Sequence, residues 1–220
     1  RRVRGAVLSG FTAFSRADDR LAGVRLLGRG PVRVKPVRAT GGRGQAVVSD
    51  AATLEAALGA VDAKDFSEHG FVLEEDLAGA TTYSVGQVRV ADLVAAYHGV
   101  QRLTPDNTGE DVYGGSSLVC VRGGFGALLE LDLPEDVRLA VSQARVYDAA
   151  AMDCFAGMFA SRRNYDVARG SDAAGRWHSG VLEQSWRIGG ASGAEVAALE
   201  AFCAEPGLRA VRASTVEAYG

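Results

Sequence analysis

Residues 32–48 read VRVKPVRATGGRGQAVV, and the order of side chains in this stretch decides the fold. Val32 and Val34 alternate with Arg33 and Lys35, the period-two pattern of a strand with one face in a core. ATGGRG (39–44) follows as a glycine-rich turn and QAVVSD (45–50) returns as the partner strand, so the stretch predicts a β-hairpin. Its order excludes two common nucleotide motifs. In a P-loop the lysine follows the glycines and opens a helix, whereas Lys35 precedes them. The dinucleotide pattern GxGxxG is absent as well. What remains is a strand-borne lysine at the mouth of a loop holding Gly41, Gly42 and Gly44. Glycines let backbone N–H groups approach an anion with no Cβ in the way. Lys35 adds a point charge suited to phosphate, and Arg43 stands at the loop tip. The same residues also fit a tight hairpin with a surface lysine. Of the 24 Lys and Arg residues only Lys35 and Lys64 are lysines, which makes a lysine placed beside this loop stand out.

Upstream, SRADDRLAGVRLLG (15–28) predicts a helix, with Leu21, Val24 and Leu27 at helical spacing, Ser15 as N-cap and Gly28 as the stop. Downstream, Ser49 or Asp50 caps a helix over AATLEAALGAV (51–61). FVLEEDL (71–77) begins as a buried strand and turns polar. TTYSVGQVRV (81–90) and DLVAAYHGVQRL (92–103) predict two strands, with Gly86 marking a bulge. Residues 104–116 read as a polar loop and SLVCV (117–121) as a strand. A helix is expected over 134–152, with Pro134 in its first turn. RRNYDVARG (162–170) and WHSGVLEQSWRI (177–188) predict paired strands, and GAEVAALEAFCAE (193–205) a last helix. The expected division is a small α+β unit, 1–77, and a larger antiparallel sheet with covering helices, 78–220.

Asp166 and Glu183 fall on those neighbouring strands. Directly opposite residues on antiparallel strands bring Cβ atoms to about 5 Å, and two carboxylates that close are costly unless a cation or proton lies between them. Mg²⁺ suits such a pair, because it takes one or two carboxylates and completes its shell with phosphate and water. Ser185 and Arg187 point to the same face as Glu183. A solvated face, with Glu183 partly neutralised by Arg187, fits the same pattern. In the middle of the chain, Tyr97, His98, Gln101 and Arg102 precede a segment holding Asp106, Asn107, Glu110 and Asp111. Arg102 is suited to gripping a carboxylate bidentately. His98 has a near-neutral intrinsic pKa suited to assisting proton transfer, but a lone strand histidine reads first as a packing or surface residue.

The totals are those of a soluble globular protein: 220 residues, 47% apolar and 23% charged. A net charge of −3 gives no broad positive field, so a nucleic-acid partner is not expected. Apolar runs fall short of the roughly 20 residues that span a bilayer, so no membrane partner is expected either. Cys120, Cys154 and Cys203 form no CxxC pair and read as free thiols of a reducing cytoplasm. The chain opens on Arg1 with no charged leader, which reads as the later part of a longer cytoplasmic protein. Its oligomeric state has no signature in the sequence.

Taken in order, strand lysine, GGxG loop, LEEDL, YDV and LEQSWR resemble the ATP-grasp superfamily. Within it, the phrases GFTAFS, TYSVGQVRV, QRLTPDN and VYGGS resemble an uncharacterised bacterial branch, over nearly all of the chain. The resemblance implies an α+β ATP-grasp fold, in which two α+β lobes with antiparallel sheets clasp a nucleotide. It implies ATP and Mg²⁺ as cofactors, with Lys35 on the phosphates and Gly41, Gly42, Arg43 and Gly44 as the flap. Glu74, Glu75 and Leu77 would line the adenine edge, and Asp166 and Glu183 would hold the metal. Arg187 would stabilise transferring charge. Ser185 stands where the family commonly has a metal-binding Asn, and Ala80-Thr81-Thr82 where many relatives place a ribose-binding acid. The earlier family lysine, and the lobe carrying it, are expected to lie outside this sequence. The activity implied is a ligase that activates a small-molecule carboxylic acid for a nucleophilic acceptor, an amine or thiol. A kinase and a non-catalytic nucleotide-binding module are the alternatives.

Overall fold

The computed structural model describes residues 3–37, 44–109 and 111–219. It is a mixed α+β structure that divides into two compact units. The smaller comprises Leu8–Ala80 with Arg169–His178, and the larger Arg1–Val7, Thr81–Ala168 and Ser179–Gly220.

The smaller unit holds β1 (Gly10–Ala13), α1 (Arg16–Leu27), β2 (Val32–Pro36), β3 (Ala46–Val48), α2 (Ala51–Gly59), α3 (Ala63–His69) and β4 (Phe71–Glu75). Its sheet runs β1-β4-β2-β3, every pair antiparallel. The predicted hairpin is there as β2 and β3, with Val32 opposite Val48. Val32, Val34 and Leu73 point inward onto Leu26, Leu54, Leu58 and Phe66. Helix α1 starts and stops where the sequence indicates. The Ser15 hydroxyl accepts from the Asp18 amide, and Gly28 caps the other end. Its rotation differs from the simplest reading of the apolar spacing. Leu21 and Val24 are 71% and 58% exposed, while Asp19, Ala22, Gly23 and Leu26 face inward. The cause is close helix packing: any side chain on Gly23 would run into Leu54 of α2. Small residues therefore set the inner face and carry Asp19 in with them. Helix α2 has Asp50 as its N-cap, in a reciprocal capping box with Thr53.

The larger sheet takes β5 (Ala78–Val90), β6 (Leu93–Pro105), β7 (Asp111–Arg122), β8 (Arg162–Ser171), β9 (Trp177–Ser185) and β10 (Ala210–Ser214) in the order β10-β7-β6-β5-β8-β9. Pleat alternation gives it two different faces. Helices α4 (Phe125–Leu129) and α5 (Glu135–Cys154) cover one, packing Val137, Ala140, Val141 and Ala144 on Tyr83, Val85, Ala96 and Val121. Helix α6 (Ser192–Ala204) covers part of the other, setting Ala194, Ala198 and Phe202 on Val88, Tyr97, Leu118 and Cys120. Burial, and then Glu195, push the Cys120 thiol up to about 12, so it is inert packing.

Two expectations are corrected here. Most of the predicted loop over 104–116 is strand, because β6 runs to Pro105 and β7 begins at Asp111, with an irregularity between Arg102 and Leu103. The described residues of the tip, 105–109 and 111, are largely exposed while Ser116 is buried, and polarity alone does not separate such a hairpin from a loop. Gly86 is no bulge either: it pairs in register with Tyr97. The glycine is needed because a Cβ there would collide with the Tyr97 phenol and lie 2.7 Å from the Arg163 carbonyl. Among the described residues, no helix is long and apolar enough to cross a membrane.

Candidate functional site

In the smaller unit, alternation along β2 turns Arg33 and Lys35 away from the core formed by Val32 and Val34. Lys35 Nζ lies 2.6 Å from Glu74 Oε2, and both residues are buried. Arg33 pairs with Asp76 at 2.7 Å, and Arg29 with Glu75 at 3.1 Å. All three acids of the Glu74-Glu75-Asp76 run therefore have cationic partners within the unit. Leu77, half-buried, lies against Gly170, where a Cβ would come within 2.9 Å of its own Cβ. Gly44 is exposed and adopts φ +74, a left-handed conformation natural to glycine. Gly41, Gly42 and Arg43 lie outside the described residues, as does Glu110 of the 106–111 segment.

In the larger unit, Asp166 is half-buried on β8. Gln101 Nε2 of β6 donates to both its carboxylate oxygens, at 3.2 and 3.1 Å. Asn164 Nδ2 donates at 3.1 Å, and Ser84 Oγ of β5 lies 3.2 Å away. Burial raises the Asp166 pKa, while those hydrogen bonds and the Arg162 charge oppose the rise. Neutral donors on two strands, Gln101 and Asn164, hold this carboxylate with the Ser84 hydroxyl beside it, and among the described residues no cation pairs with it.

Behind Asp166 stands a buried network. Tyr97 Oη lies 2.5 Å from Glu195 Oε1 and 2.9 Å from Asn164 Oδ1, which also takes Ser84 Oγ at 2.8 Å. Arg162 donates to both Glu195 oxygens through Nε, at 3.0 and 2.9 Å. Its Nη1 donates to the Ser185 carbonyl at 3.2 Å, the Ser185 hydroxyl at 3.3 Å and the Arg187 carbonyl at 2.5 Å. Burial works against the guanidinium charge, but Glu195, Tyr97 and Asp166 together outweigh it and the Arg162 pKa is raised. Burial likewise drives the Tyr97 phenol well above its usual range, so it stays protonated.

The structure thus brings Lys35 to Glu74, Asp166 to Ser84, Gln101 and Asn164, and Ser185 and the Arg187 backbone to Arg162. It leaves Glu183 exposed on β9, the neighbour of β8. Arg187 is exposed, its Nη1 donating to the Ile188 carbonyl at 2.9 Å. Arg102 is exposed on β6, with Nη2 3.4 Å from the Thr215 carbonyl. Sequence pattern assigns no role to Ser84, Asn164, Arg162 or Glu195. Counting back by two from Asp166 along its strand would have pointed to Asn164 and Arg162. Nothing in the sequence links either to Glu195, 33 residues further along than Arg162.

A family model described as "Protein of unknown function (DUF3182)" matches residues 1–220. No curated protein matches the chain. Solved structures do. An ADP complex of N5-carboxyaminoimidazole ribonucleotide synthetase superposes with a TM-score of 0.53 at 14% identity, covering 90% of this chain and 45% of that one. The Staphylococcus aureus N5-carboxyaminoimidazole synthetase, complexed with ADP, gives 0.53 at 14% identity, covering 89% and 44%. D-alanyl-alanine synthetase A from Vibrio cholerae O1 biovar eltor gives 0.52 at 14% identity, covering 86% and 52%. This chain spans about half the length of those proteins. The likeness establishes the fold, which is ATP-grasp.

Proposed function

We propose, from the premise that this chain belongs along its whole length to the DUF3182 family of proteins of unknown function, that it is an ATP- and Mg²⁺-dependent ligase activating a carboxylic acid. The observation that carries the reading is Asp166, a half-buried carboxylate pinned by Ser84, Gln101 and Asn164 in an ATP-grasp chain. Two of the similar structures hold ADP, which supports a nucleotide as ligand.

The residues present fit one Mg²⁺ better than two. Asp166 and Glu183 are the carboxylates that would hold it, and one or two suffice for this ion. No cluster of three or more His, Cys, Asp or Glu suited to a metal occurs among the described residues. Ser185 fits less well, since its hydroxyl oxygen already faces the Arg162 guanidinium, which would repel a second cation. When bound, the ion would supply positive charge to phosphate oxygens. Lys35 has three ammonium donors, enough to keep Glu74 and still reach a phosphate. In this reading Gly41, Gly42, Arg43 and Gly44 cover the phosphates, and the backbone of Glu74, Glu75 and Leu77 meets the adenine edge. Arg102 holds the substrate carboxylate, and Arg187 stabilises charge in transfer. A carboxylate oxygen attacks the γ-phosphorus, the bond to the β–γ bridging oxygen breaks, and ADP departs. An amine or thiol then displaces phosphate from the acyl phosphate. The setting proposed is the cytoplasm, with small molecules as partners.

The engagement of Ser185 by Arg162 favours a second reading, a nucleotide-binding module without turnover. Melting curves with Mg²⁺-ATP and ADP-release assays with acids and amines separate the two. Ligand at about 100 times its Kd stabilises by roughly 2.7 kcal/mol. Lys35→Ala and Asp166→Asn should each shrink that shift, and Lys64→Ala, on a side chain 81% exposed, should leave it intact. An undiminished shift in both site variants would overturn the assignment. A shift with no ADP under any acid and amine would select the binding module.

A further inference from the structure

We infer that the face of the larger sheet turned away from Asp166 carries a second small-molecule site, for a monocarboxylate with an apolar body. Ser84 and Gln101 both reach Asp166, so alternation along β5 and β6 sends Tyr83, His98 and Val100 to the opposite face. Register carries that face outward across the strands. Tyr83 pairs with Val100, Val100 with Ser117, and Ser117 with Ser214. In the next row His98 pairs with Val119, and Val119 with Arg212. These side chains and Val137 of α5 line a cavity of about 440 Å³. That volume is within the range of small-ligand sites, roughly 300–1,000 Å³.

The lining has one end for charge and one for hydrocarbon. Among the described residues of the lining, Arg212 alone is charged. No acceptor among the described residues pairs with the Arg212 guanidinium, nor with the side chains of His98, Ser117 and Ser214. Arg212, Ser117 and Ser214 are exposed and His98 is half-buried, so these groups are open to a ligand that displaces water from them. Tyr83 directs its hydroxyl to Asp136 at 2.5 Å, so what it offers the cavity is ring. Val100, Val119 and Val137 complete an apolar floor. Burial, then the Arg212 charge, lower the His98 pKa, which leaves a neutral imidazole beside a single cation. A guanidinium with hydroxyls and a neutral imidazole matches one carboxylate, and the valines and tyrosine ring match an apolar body.

The test titrates the full chain with benzoate and with its neutral counterpart benzamide, followed by ligand-observed NMR. For so small a ligand, binding in the millimolar range is expected. Benzamide should bind about ten-fold more weakly, and Arg212→Gln should weaken benzoate by about the same factor, as loss of a charge-assisted hydrogen bond requires. Arg212→Lys should recover part of the affinity. Asp166→Asn should leave benzoate binding unchanged, which keeps this site distinct from the proposed nucleotide chemistry. Equal binding of benzoate and benzamide, wild-type affinity in Arg212→Gln, or no benzoate binding would each overturn the inference. So would sedimentation showing a dimer that Arg212→Gln dissolves, since a second copy would then occupy this face.

Discussion

Asp19 in the smaller unit and Glu195 in the larger are both acids on the inner face of a helix, 0% and 2% exposed. Their surroundings are opposite. Glu195 receives the Arg162 guanidinium and the Tyr97 hydroxyl, and that cluster also fixes the backbone from Ser185 to Arg187. Among the described residues, neither oxygen of Asp19 has a hydrogen-bond partner. Burial, and then the neighbouring Asp18, push the Asp19 pKa from 3.8 to about 7, against a smaller pull from Arg16. The buried charge of the larger unit organises the strand ends on which the proposed chemistry depends. The buried acid of the smaller unit is a cost of letting α1 approach α2 closely.

The largest expected effect comes from breaking the satisfied side. Glu195→Ala leaves Arg162 buried and unpaired, a loss of about 3–5 kcal/mol that urea denaturation would measure. A smaller loss would mean that water or a shifted partner relieves Arg162. The orphan should behave in the reverse sense. With a folded-state pKa above its ordinary value, Asp19 favours the folded chain at low pH and loses that contribution as pH rises from about 4 to about 7. Asp19→Asn should therefore stabilise at pH 8, by up to about 4 kcal/mol, and change little near pH 4. Denaturation at the two pH values checks it, and an equal effect at both would refute the titration.

Smaller effects test the edges of the contrast. Gln101→Ala removes two hydrogen bonds from a carboxylate, which is worth about 1–2 kcal/mol. It should also raise the Asp166 pKa further, which carboxyl NMR titration would show. Leu21→Ser, on the outward face of α1, should change stability by less than about 0.5 kcal/mol. A large loss there would mean that this apolar surface is covered in solution.

Sequence pattern carried the elements whose causes are local. Ser15 and Gly28 bounded α1, Asp50 capped α2, and valine alternation around Lys35 placed the first hairpin. It failed where distant residues decide. The rotation of α1 depends on Gly23 meeting Leu54, and its own apolar spacing points the other way. The 104–116 stretch reads as a loop because the hairpin tip is exposed and polar and the buried positions after it are small residues, Gly114, Gly115 and Ser116. At the candidate site, Lys35 and Asp166 stood out by type and neighbourhood. The acid beside Lys35 belongs by resemblance to an adenine-binding segment, yet in the folded chain its carboxylate meets the lysine. Arg162 and Glu195 carry no local mark, and only the packing of α6 on the sheet brings them together.

Gly86 has a genetic consequence. Hydrogen is the one substituent that fits between its backbone and the Tyr97 phenol. Alanine there would lever the ring against Glu195, and the disturbance would travel through Arg162 to the chain around Arg187. A screen for heat-sensitive alleles should therefore yield hits at this codon, although the glycine itself touches no ligand in the proposed chemistry.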